Sequence, residues 1–138
     1  MDGILLHQIL QWHHMLTSEG SYPATTVAGL KSNTLGDGLF HLATWVATVA
    51  GVWLLWRRIG GGARWTGRHL LGLILAGWGT FNLVEGTVDH HILGIHHVKA
   101  GEHQAVLDIA FLVLGALLLA GGLLMARAGE RDLAPAAA

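Results

Sequence analysis

Glu85, Asp89, His90, His91, His96 and His97 fall together in the stretch VEGTVDHHILGIHHV, Val84 to Val98, directly after an apolar run. Read as one continuous helix at about 100° per residue, Gly86, His90 and His97 share a face. Glu85, Asp89 and His96 stack on the adjoining face, and only His91 points away. Imidazoles with carboxylates a turn away are how helical bundles hold one or two metal ions. The chemistry expected here is therefore metal ligation.

The same signature occurs a second time. Laid on the chain's start at an offset of 83 residues, Glu85-Gly86 falls on Asp2-Gly3, His90 on His7, Ile92-Leu93 on Ile9-Leu10, and His96-His97 on His13-His14. The following helix repeats too, Asp108 and Phe111 falling on Asp37 and Phe40 at an offset of 71. The spacing predicts two parallel helix-pair units, repeat one over residues 1–58 and repeat two over 66–128, in a single domain 1–128 with a flexible tail 129–138. Expected first ligands are His7, His14, His90 and His97, with His41 and Asp37 from the neighbouring helix. Glu85, Asp89, His13 and His96 are expected either as further ligands or as partners that fix the imidazole tautomers, a part also open to Asp108.

The elements that must carry these residues are membrane helices. Apolar residues make up 52% of the chain and charged residues only 12%, about half the soluble average, with a mean hydropathy of +0.50. Gly38–Trp56 and Ala105–Ala126 are long enough to span a bilayer, and Leu70–Val84 becomes so if its helix runs on past Glu85. The fold class predicted is all-α, an integral membrane bundle. Within the second span Asp37, His41, Thr44 and Thr48 form a polar stripe. Gly72, Gly79 and Gly86 recur every seventh residue, a seam for close helix approach. Residues 17–36 read as a loop, with Asp37 as a ligand or as the N-cap of the helix that follows.

Six arginines (Arg57, Arg58, Arg64, Arg68, Arg127 and Arg131) fall to one side, and only Lys31 and Lys99 to the other. That bias predicts a multi-pass inner (cell) membrane protein with a cytoplasmic C-terminus and an outward-facing histidine end. The net charge of -1 gives no support to nucleic-acid binding. The absence of cysteine excludes thiolate sites and thiol nucleophiles, so the expected ion is Zn, Fe, Mn or Cu in its divalent form.

The patterns D-G-x3-H-Q-x2-Q-x-H-H, D-G-x2-H and N-x2-E-G-x3-H-H-x4-H-H resemble a family of small bacterial four-helix membrane proteins that carry a domain of unknown function. The resemblance implies a four-helix membrane domain and supplies no activity. Some members are encoded near a cytochrome oxidase assembly factor, which implies copper or respiration and a respiratory-complex assembly partner. Relatives have an apolar stretch before the position of Asp2, so the first span is expected to be truncated here, and a homo-oligomer would cover the apolar surface left open. Three functional classes are expected to compete: metal handling, a metal-dependent membrane oxidoreductase or hydrolase, and proton or ion conduction without metal. A bis-histidine haem is the remaining cofactor alternative.

Overall fold

The computed structural model describes residues 3–16, 22–62, 64–95, 97–99 and 101–132. Asp2 and His96 lie outside the described residues. The chain opens with a π-helical segment, Gly3–Ile9, followed by three helices: α1 (Val27–Gly60), α2 (Gly67–Glu85) and α3 (Gln104–Arg131). A second π-helical segment, Gly86–Ile92, continues directly from α2. The described residues contain no strand.

α1 starts ten residues earlier than the loop reading of 17–36 allows. Thr26 caps it, its hydroxyl accepting from Gly29 N at 3.1 Å, and so Asp37 is not an N-cap but lies inside the helix. Thr66 caps α2 in the same way, accepting from His69 N at 3.0 Å. Such caps supply an acceptor for a donor that the first helical turn leaves unpaired.

Three helical stretches, Val27–Gly60, Gly67–Ile92 and Gln104–Arg131, are long and apolar enough to cross a membrane. At about 1.5 Å per residue, the rise from Asp37 to Arg57 and that from Asp108 to Arg127 each come to roughly 30 Å, the thickness of a bilayer's hydrocarbon. The carboxylates and the arginines thus mark the two ends of the apolar layer.

α2 and α3 are interlocked by glycine. A Cβ on Gly72 or Gly79 would run into the backbone nitrogen of Ala126 or Leu119, and one on Gly122 or Gly129 into that of Ala76 or His69. Heptad-spaced glycines on both helices therefore bring the two backbones into direct contact. At the arginine end Thr66 Oγ1 donates to Gly129 O at 3.0 Å and His69 Nδ1 to Ala126 O at 2.9 Å. α1 is held differently. None of its most apolar stretch is buried, against 33% for Gly67–Ile92. Its buried positions, Gly29, Asn33 and Asp37, all lie near its N-terminal end.

Candidate functional site

The continuous helix expected through Val84–Val98 is not what forms. α2 gives way at Glu85 to the π-helical segment, and the chain then leaves helical geometry, with Gly94 at φ +59°. The faces counted at 100° per residue consequently do not apply beyond Glu85. His90 and His97 come together by another route, because both rings reach one carboxylate on α3. His97 Nδ1 donates to Asp108 Oδ2 at 2.7 Å, and His90 Nδ1 lies 3.2 Å from Asp108 Oδ1. The backbone nitrogen of Val98 donates to the same Oδ1 at 3.0 Å.

The start of the chain builds a matching cluster on α1. His7 Nδ1 donates to Asp37 Oδ1 at 2.9 Å and His14 Nδ1 to Oδ2 at 2.8 Å. Met15 N donates to Oδ1 at 2.9 Å, as Val98 N does to Asp108. The correspondence extends to the backbone. Leu10 N donates to Leu5 O and Trp12 N to Leu6 O; 83 residues on, Leu93 N donates to Val88 O and Ile95 N to Asp89 O. The π-helical segments themselves are each seven residues long and begin 83 residues apart. A π turn shifts side chains relative to an α turn, and in both places it brings a buried histidine onto the next helix's aspartate. Each of those histidines also rests on a phenylalanine, His7 at 6.1 Å from Phe40 and His90 at 5.3 Å from Phe111 between ring centroids.

The two clusters touch. His13 Nδ1 donates to the carbonyl of Val98 at 2.8 Å, and that residue's own nitrogen is on Asp108. The rings of His7 and His13 meet edge to face at 4.4 Å. Lys99 Nζ stands 5.1 Å over the ring of Trp12. His7, His13, His90, Asp37 and Asp108 are all buried.

Of the other residues singled out by spacing, Glu85 is buried at the end of α2, and Asp89 is half-buried on the π turn outside both clusters. His91 folds back, donating from Nδ1 to Gly86 O at 2.7 Å. His41 is not drawn to either carboxylate. Its Nε2 is buried and has no hydrogen-bond partner among the described residues, beside a cavity of about 190 Å³ shared with Phe40, Trp78 and Phe81. The threonines of the stripe turn to their own helix, Thr44 Oγ1 donating to His41 O and Thr48 Oγ1 to Thr44 O. Among the described residues, no three His, Asp or Glu side chains stand in an arrangement that would hold a metal ion as they lie.

Some participants carry little signal in sequence. Gln8 Nε2 donates to Asp37 Oδ2 at 3.4 Å. Asn33 secures the same passage, accepting from Leu16 N at 3.0 Å while donating to Tyr22 O and Gly29 O. The peptide nitrogens of Met15 and Val98 have no residue type to betray them. Asn33 lies four residues, about one helical turn, before Asp37, and that spacing is the one clue the sequence offers.

Apolar spanning helices with a buried polar layer at one end define a helical membrane protein. The family of predicted membrane proteins known as DUF2243 matches residues 1–129, and the chain belongs to that family, in agreement with its paired-histidine patterns. No curated protein and no solved structure matches it.

Proposed function

We propose that this membrane bundle binds a divalent transition metal at its histidine end, with the imidazoles as ligands and Asp37 and Asp108 as the groups that orient them. The observation that carries the reading is the doubled bracket: buried Asp37 accepts from Nδ1 of both His7 and His14, while buried Asp108 accepts from Nδ1 of His97 and lies 3.2 Å from that of His90. A carboxylate that takes the Nδ1 proton fixes the tautomer and raises the basicity of Nε2, the arrangement found behind metal-ligating histidines. Nε2 is then the atom through which His7, His14, His90 and His97 would hold an ion. His14 and His97 retain 17% and 19% side-chain exposure, against 2% for His7 and His90, so an ion from outside reaches them first. Imidazole without thiolate suits Zn, Fe, Mn or Cu(II). Buried ionisable groups at the edge of a bilayer are costly, which favours a use for them. The recurrence of matching contacts, at an offset of 83 for the histidine segments and 71 for the aspartates, supports two copies of one helix-pair unit, and the arginine bias supports an outward-facing histidine end.

A second reading is favoured by the bonds from Met15 N and Val98 N. In it the aspartates are clasps that pin non-helical chain to a helix, and no metal is involved. Elemental analysis of the full chain, purified in detergent without chelators, separates the two. The metal reading predicts roughly one tightly bound ion per chain, reduced in a double variant His14→Ala/His97→Ala that still inserts. Metal-free wild-type protein that also takes up none when Zn²⁺ is added would leave only the clasp.

A further inference from the structure

Resting on that metal reading, we propose that a divalent transition-metal ion enters and leaves through the first cluster, by way of a cavity beside Asp37. A cavity of about 500 Å³ is walled by Gln8, Gln11, Trp12, His13, His14 and Asp37 among others. It contains one of the two bracketing carboxylates, one of the two more exposed imidazoles and two carboxamides. Carboxamide oxygens are hard, neutral donors that can replace water on a divalent ion without trapping it by charge.

The matching positions of the second cluster carry other side chains. At the offset of 83, Gln8 becomes His91 and Gln11 becomes Gly94. Gln8 reaches the carboxylate of its cluster, Nε2 donating to Asp37 Oδ2 at 3.4 Å, whereas His91 turns back onto Gly86 O. The fold calls for left-handed backbone at both Gln11 and Gly94, with φ +49° and +59°. Glycine meets that requirement freely and glutamine does so under strain. Strained backbone of this kind concentrates at ligand sites, and here it sets a carboxamide on the cavity wall. Asp37 therefore has a side-chain amide partner that the bonds described around Asp108 do not reproduce.

The test is a Co²⁺ titration of the full chain in detergent, followed by the visible absorption of the bound ion. Wild type is expected to show a readily exchanging class of Co²⁺ that a chelator strips first. Gln8→Ala and Gln11→Gly should each weaken that class by about tenfold, the size of effect seen when a ligand's supporting residue is lost. His14→Ala should abolish it and His97→Ala should keep it. Gln11→Gly removes strain, so an unchanged or higher melting temperature shows that weakened binding is not unfolding. Wild-type-like titrations by both glutamine variants would overturn this proposal alone, as would equal losses in His14→Ala and His97→Ala. No Co²⁺ uptake by wild type would overturn the metal reading, and this proposal with it.

Discussion

The two aspartate clusters share most of their partners but not their surroundings. Asp108 stands on a helix whose glycines lock it to α2 along the apolar layer, from Gly79 on Leu119 to Gly129 on His69. Asp37 stands on a helix whose apolar stretch is uncovered, and the segment that folds onto it is tied by His7, His14, Met15, Gln8 and Leu16, all reaching Asp37 or Asn33. The difference teaches that one geometry serves two mechanical settings. Around Asp108 the clasp decorates a pair of helices already joined. Around Asp37 it is the main attachment of the chain's first segment to α1.

Substitutions can break this comparison. The largest effect is expected at the glycine seam, where Gly79→Val would force side-chain atoms into α3 backbone. A loss of about 3 kcal/mol or more follows from overpacking at a site whose neighbour cannot yield, and α2 and α3 should separate in detergent unfolding followed by a fluorescence pair on the two helices. Next comes Asp37→Ala, which strands several buried donors at once and should cost about 3 kcal/mol. Asp108→Ala should cost less, about 2–3 kcal/mol, because the seam survives it. Thermal unfolding monitored by helical circular dichroism orders the two, and a larger loss for Asp108→Ala would refute the mechanical contrast. The smallest effects sharpen the backbone comparison. Gln11→Gly should raise stability and Gly94→Gln should lower it, each by about 0.5–1 kcal/mol, the balance of left-handed strain against the extra freedom of an unfolded glycine.

Much of the fold was legible because its signals are local. Apolar runs of membrane length located the three long helices, and the heptad glycines of α2 announced a seam that the structure places against α3. The offsets of 83 and 71 also paired His7 with His90, His14 with His97 and Asp37 with Asp108, and these are the residues that occupy matching positions in the two clusters. What the sequence hid was how the histidines meet. A constant 100° per residue could not foresee a π turn at Gly86 or the break at Gly94, since π geometry arises from packing more than from any residue preference. The start of α1 was obscured because Gly29, Gly36 and Gly38 read as loop, while Thr26 and the buried Asn33 hold the helix in place. The sequence marks Asp37 as a ligand or a cap, whereas in the structure it accepts from several donors at once. Peptide nitrogens among those donors leave no trace in a sequence.

The central claim is that imidazoles are the ligands and the aspartates stand behind them. X-ray absorption at the metal edge of Zn²⁺-loaded, detergent-purified protein tests it most directly. The account predicts nitrogen neighbours at about 2.0–2.1 Å with the outer-shell scattering of several imidazole rings, and the same spectrum, at lower occupancy, from Asp108→Asn. A first shell of oxygen alone, without imidazole scattering, would contradict it.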